Sequence, residues 1–139
     1  MLELASLREV AQHLSSVFLA FGVPRPSAVI LSLLYLVDRP LDYGEISSLS
    51  GYSKSSVSQA MKILEHYHLV SRVKSKRKSA YMPSLPLRNA LAELQVRVVE
   101  SAAQGLRERG KRSPELSTRV EKLEKELKEL VEVIKAWRR

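Results

Sequence analysis

The sequence predicts a mainly α-helical chain with one small β-hairpin, and three stretches carry that prediction. Residues 42–69, DYGEISSLSGYSKSSVSQAMKILEHYHL, have the punctuation of two short helices joined by a tight turn. Residues 70–82 alternate on both sides of a polar, basic tip, as a hairpin does. The flanks repeat apolar residues every three or four positions, the period of amphipathic helices. The sum is a winged helix–turn–helix flanked by N- and C-terminal dimerisation helices. Residues 1–82 make the N-terminal helix and winged core, and 83–139 a helical dimerisation region.

Leu4, Leu7, Ala11, Leu14, Phe18 and Phe21 predict a helix over 3–21, with Val10 and Val17 widening its apolar stripe. Gly22 and Pro24 break it. Pro26-Ser27 opens a second helix over 27–38, apolar nearly all round, as a helix in the middle of a domain is. Pro40 ends that helix, and Leu41 is placed to form a short strand against the hairpin.

Asp42 caps the next helix, with Glu45 three residues on reaching back as in a capping box. Gly51 can take the left-handed conformation that stops a helix, and Ser53 offers a hydroxyl to the amides of the following one. That second helix puts Val57, Met61, Leu64 and His68 on one side. Its other side, Ser55, Ser58, Gln59, Lys62 and His66, is small, polar and rich in hydrogen-bonding groups. Such a helix suits the major groove of DNA. A plain solvated surface has the same composition, so the sequel decides. Arg72, Lys74, Lys76, Arg77 and Lys78 crowd one hairpin tip that no Asn-Gly or Asp-Gly marks, and phosphate is the natural company for them. The expected DNA contacts are therefore Ser53, Lys54, Ser55, Ser56, Ser58, Gln59 and Lys62, with the five hairpin cations on phosphate or the adjacent minor groove. Gln59 suits adenine and Lys62 guanine.

Pro83 and Pro86 stop the extended segment, and Leu87, Leu91, Leu94, Val98, Ala102 and Leu106 predict a helix over 86–109. The run GKRSP at 110–114 interrupts it, with Ser113 as the expected cap of a last helix over 114–138. There Leu116, Val120, Leu123, Leu127, Leu130, Ile134 and Trp137 alternate by four and three, with Val120, Leu127 and Ile134 at the a positions of a heptad. Glu121–Lys125 and Glu124–Lys128 add favourable i,i+4 pairs. The stripe fits a two-stranded coil between subunits, or a fold-back on the preceding helix or on the helix over 3–21. The expected dimerisation set is Leu7, Leu14, Phe18, Leu94, Val98 and the seven heptad residues.

Composition narrows the functions. At 139 residues the chain holds one domain and an appendage, and a net charge of +8 favours a polyanionic partner. The cations gather on a hairpin, which argues for nucleic acid and against a membrane surface. Cysteine is absent, which removes disulfides, thiolate metal sites and a thiol nucleophile. The start, MLELASLREV, lacks the pattern of a signal peptide, and the apolar run 28–37 is too short to span a bilayer, so a cytoplasmic protein is expected. No phosphate loop, HExxH or catalytic triad is present, so neither enzyme nor cofactor is expected. His66 and His68, two apart, point to different sides, and His13 lies on a helix surface, so no metal site is expected either.

The run FGVPRPSAVILSLLYLVDRPLDYGEISSLSGYSKSSVSQAMKILEHYHLVSRVKSKRKSAYM resembles the winged-helix core of the MarR superfamily, in the branch typified by GbsR, a regulator of glycine-betaine synthesis genes. Gly22, Pro24-Arg25, Pro40-Leu41, Ser53–Ser58 and Leu69-Val70 carry the likeness, while Lys-Arg-Lys stands where many such wings have Asp and Gly-Arg. The resemblance implies a homodimeric transcriptional regulator on a palindromic duplex, with the first helix entering the dimer interface. It also leaves room for a small-molecule effector that no residue specifies. A non-specific architectural DNA-binding protein is the alternative, and a protein–protein module that uses the helix–turn–helix as a grip is a third reading.

Overall fold

The computed structural model describes residues 3–75 and 78–138, which divide into two compact units between Leu87 and Arg88. Lys76 and Arg77 lie outside the described residues.

In the N-terminal unit, the first helix, α1 (Leu4–Ala20), ends where Gly22 takes φ +86°. The Gly22 and Val23 amides then bond back to Leu19 and Phe18, closing the last turn. α2 (Arg25–Val37) starts two residues before the expected Ser27, because Pro24 and Pro26 both suit a first turn that has no use for their missing amides. Residues 27–34 of α2 are buried without interruption, so it is the central helix, as its all-round apolarity requires. Asp38, at φ 60°, ends it two residues ahead of Pro40.

α3 (Tyr43–Ser50) has the capping box: the Glu45 amide donates to Asp42 Oδ1 at 2.8 Å, and the Asp42 amide to Glu45 Oε1 at 3.3 Å. Gly51 stops it at φ +80°. α4 (Lys54–His66) starts from Ser53, whose hydroxyl accepts from the Ser56 amide at 3.1 Å. Val57, Met61 and Leu64 are buried on its inner face as expected. His68 is not among them. The helix ends at His66, and His68 is exposed at φ 57°, its carbonyl accepting from the Ser84 hydroxyl at 2.5 Å. The helical spacing stops at Tyr67, and the chain has already turned out by His68. The two histidines therefore do not share a helix.

The hairpin pairs β1 (Val70–Ser75) with β2 (Lys78–Pro83) in antiparallel register, Arg72 opposite Tyr81. Leu41 joins it as a single bridge to Tyr81, with bonds of 3.0 and 2.8 Å. That bridge ties the root of the wing to the entry of the helix–turn–helix.

In the C-terminal unit, α5 (Leu87–Gly110) and α6 (Ser117–Trp137) form an antiparallel pair. Asn89 and Glu93 near the start of α5 meet Arg138, while Arg107 near its end meets Glu124 at 2.6 Å. Gly110 sits against Val120 so closely that a Cβ would lie 2.6 Å from its methyl. Ser113 does not cap α6. Residues 113–117 instead form a turn of short-range bonds, Leu116 amide to Ser113 carbonyl at 3.1 Å, and Leu116 stands at the cap with no side-chain acceptor.

α6 uses its heptad differently from a simple seam. Val131 (4 % exposed) and Glu124 are the buried residues, with Val120, Leu127 and Ile134 half-buried beside them. Leu116, Leu123 (49 % exposed), Leu130 and Trp137 are exposed, together with Val133. The apolar stripe is wider than the face that α5 covers, and periodicity alone does not say which half faces α5.

Candidate nucleic-acid interface

The outer face of α4 is built by its cap and its spacing. The Ser53 hydroxyl takes the Ser56 amide and donates to Ser56 Oγ at 3.1 Å, so both hydroxyls are engaged in starting the helix. Lys54, Ser55, Gln59 and Lys62 are exposed, and Ser58 is half-buried beside them. Four side chains able to give or take hydrogen bonds thus stand free on a helix whose opposite face is fixed in the core. His66, exposed at the helix end, extends the same face and tilts against Tyr67.

Three of the expected cations converge. Lys54 from α4, Arg72 from β1 and Lys78 from β2 line one open cleft of about 470 Å³ with Asp42, Tyr43 and Tyr81. A second cleft beside it, about 530 Å³, also contains Lys54 and Lys78. The start of the second helix and the wing therefore share a basic concavity. Lys74 is exposed on β1. Cations on separate elements that gather without an acidic excess form a field that suits a polyanion.

Arg72 has partners the sequence did not reveal. Its guanidinium lies 5.5 Å from the Tyr81 ring centroid and 3.6 Å from Glu65 at the end of α4. Tyr81 in turn stacks on Tyr43 at 5.2 Å. Burial, then the hydrogen bond with Tyr81, pushes the Tyr43 hydroxyl up to about 12, so it stays a neutral donor beside the cations. Register could have suggested the Arg72–Tyr81 contact, since the two face each other across the hairpin. Glu65 could not have been found that way.

The expected dimerisation residues separate into two groups. Leu7, Phe18 and Leu94 are buried within the single chain, so they are core and not free surface. Leu7 packs with Ala11, Val29 and Leu33, and Phe18 stacks 6.3 Å from Tyr35. Leu14 is half-buried, while Leu4, Val10 and Val98 are exposed. Among the described residues, Leu123, Leu130, Val133 and Trp137 of α6 are exposed together. Among the described residues no helix is long and apolar enough to cross a membrane.

Comparison with known proteins agrees on architecture. No protein-family model matches the chain, and no curated protein does. Among solved structures, a crystal structure of a transcriptional regulator superimposes with a TM-score of 0.75 over 96 % of this chain and 95 % of its own, at 16 % identity. A transcriptional regulator from Thermotoga maritima matches with a TM-score of 0.48 and 22 % identity, over 92 % of this chain and 87 % of its own. At 16 % identity the likeness to the first of these is one of fold. The chain is a mainly helical protein of the winged helix–turn–helix class.

Proposed function

We propose that this protein is a sequence-specific DNA-binding transcriptional regulator, a homodimer of the MarR superfamily and its GbsR-like branch, and not an enzyme. The observation that carries this reading is the exposed polar face of α4 beside the cleft where Lys54, Arg72 and Lys78 converge. α4 enters the major groove, where Ser55, Ser58, Gln59 and Lys62 meet base edges, while Ser53 and Ser56 hold the helix start and Lys54 meets phosphate. Arg72, Lys74 and Lys78, with Lys76 and Arg77 from the wing, rest on phosphate and the neighbouring minor groove. The solved neighbour described as a transcriptional regulator supports the same class.

A single winged helix makes few base contacts, and a two-fold pair reaches successive major grooves about 34 Å apart on a palindromic site. The open α6 row supports pairing, since Leu116, Leu123, Leu130 and Trp137 are exposed at seven-residue intervals. Neighbouring Val133 broadens it.

The test is to select bound duplexes from a random pool and compete the winner against random DNA. A regulator retains a preference of about a thousandfold or more at moderate salt, whereas an architectural protein loses it. Gln59→Ala then costs about 1–3 kcal/mol on the selected site and little on random duplex. Equal losses on both would place Gln59 on the backbone, and no preference at all would overturn the regulator.

A further inference from the structure

Helix α3 has no basic residue in its last turn, yet its negative end is not left to water. Arg8, from α1, forks onto it: Nε donates to the Leu49 carbonyl at 2.8 Å and Nη2 to the Ser48 carbonyl at 3.1 Å. These are two of the carbonyls that a helix end leaves without intrahelical partners. The same guanidinium packs over Gly51, where a Cβ would lie 3.4 Å from Nη2. The rest of the turn is held locally. The Gly51 amide donates to the Ser47 carbonyl, the Tyr52 amide to Ser50 Oγ, and the Ser47 hydroxyl to the Tyr52 carbonyl. Arg8 supplies the long-range hydrogen bonds at this end of α3, reaching across forty residues of sequence.

We propose that Arg8 is a positioning residue for the DNA-reading helix, clamping the turn between α3 and α4 to α1. This rests on the DNA-binding reading of α4. Leu49 and Tyr52 already pack against the cluster of Leu7, Ala11, Val29 and Leu33, but apolar contact has no direction and does not fix how the turn sits along α1. A planar fork on two successive carbonyls does. α4 itself is held by its buried Val57, Met61 and Leu64 and by the buried Ser27 hydroxyl of α2, which donates to the Ala60 carbonyl at 3.0 Å. Ala60 lies seven residues beyond Ser53, about 10 Å along the axis. Without Arg8, the turn that leads into the helix start carrying Lys54, Ser55 and Ser58 loses its directional tie to α1 and samples more than one position. α1 thereby becomes the rest against which the recognition helix is set.

Arg8→Ala and Arg8→Lys in the full chain test this by duplex affinity and by amide exchange without DNA. Because Arg8 is exposed, the released carbonyls can turn to water and the fold survives. The alanine variant is expected to lose about tenfold or more in affinity for the selected duplex while random duplex, held by phosphate contacts, changes less than about threefold. Exchange at Gly51, Tyr52 and Ser53 rises by about tenfold as the turn opens locally. Lysine keeps the charge at the helix end but lacks the fork, and is expected to restore less than half of the lost preference. Unchanged exchange in Arg8→Ala overturns the clamp while leaving DNA binding in place. So does an unchanged ratio of selected to random affinity, or full recovery by lysine, which would make charge alone sufficient. A wild-type chain that binds no duplex overturns the reading beneath the proposal, whatever the exchange shows.

Discussion

The N-terminal unit closes an apolar core around its central helix, with Phe18, Ile30, Leu34 and Met61 all fully buried. The C-terminal helix pair instead buries mostly small or short side chains, Ala90, Ala92, Val96 and Ala103 with Leu94 and Val131, together with the Glu124 carboxylate, and leaves an apolar row of α6 outside. The first arrangement is that of a unit stable on its own core. In the second, ion pairs do part of what packing does elsewhere: Glu124 accepts from Arg107 and Lys128 at 2.6 and 3.1 Å, and Lys135 lies 4.0 Å from Glu100. Pairs whose cations stay open to solvent contribute little individually. A two-helix unit with a core of such small side chains would gain from a cover over its outer row, the role that the proposed pairing gives to a second copy of the chain.

Alanine substitutions should expose this contrast most strongly. Phe18→Ala empties a fully buried site and is expected to cost about 3–5 kcal/mol, read as a drop in the urea midpoint. Leu123→Ala, half exposed already, should cost under about 1 kcal/mol in a dilute monomer and more as concentration rises. A loss at Leu123 as large as that at Phe18, independent of concentration, would mean the outer row is covered within the chain.

Charge placed on that row acts on assembly. Leu123→Glu with Leu130→Glu should leave the helical signal intact and move the mass by light scattering from twice 15.7 kDa to that of one chain. Tight duplex binding should fall with it, since a single wing and helix reach one half-site. A wild-type chain of 15.7 kDa at micromolar concentration would end the dimer model outright.

The inner face of the pair is tested at Gly110. An added methyl there meets short, branched Val120 atoms at 2.6, 3.0 and 3.1 Å, with no flexible end to swing aside. Gly110→Ala should therefore destabilise by about 1–3 kcal/mol, even though alanine favours a helix. Adding Val120→Ala should recover part of it. Thermal melts of the two variants decide the sign, and a more stable Gly110→Ala would show that the helices move apart at no cost.

What was legible in the sequence follows from distance along the chain. The capping box at Asp42 and Glu45, the Gly51 stop and the Ser53 cap are settled within three or four residues, and all three stand in the fold. Leu41 against the wing was also legible, because Pro40 and the hairpin left it one place to go. His68 and Ser113 depart from the local rules because each lies next to a turn that spacing does not reveal. Arg8 on Leu49, Glu65 beside Arg72 and Ser27 on Ala60 join residues from different helices and strands, and no spacing rule links them. The choice of which α6 half faces α5 is of the same kind. It depends on what packs against the helix, which a stripe of seven apolar residues does not state.

The smallest predicted effects set the two units at opposite ends of the pH scale. In the C-terminal pair, the Arg107 hydrogen bond, then that of Lys128, holds the Glu124 carboxyl below the usual carboxylate range. A depressed acid contributes stability above its unfolded pKa and loses it as pH falls through the folded one. In the N-terminal unit the shifts run the other way. Burial pushes Tyr35 up to about 12, and its hydroxyl donates to the Leu85 carbonyl at 2.7 Å; Tyr43 is also raised to about 12. A raised tyrosine contributes fully below its unfolded value of 10.0, and that contribution is lost as pH climbs from there towards 12. Amide exchange followed across pH should thus loosen first around Glu124 in acid and first around Tyr35 and Tyr43 in alkali. Glu124→Gln should flatten the acid limb alone, and Tyr35→Phe the alkaline limb alone, the latter also removing one hydrogen bond worth about 0.5–1.5 kcal/mol at neutral pH. If Glu124→Gln flattened both limbs, the two units would not be answering to separate groups.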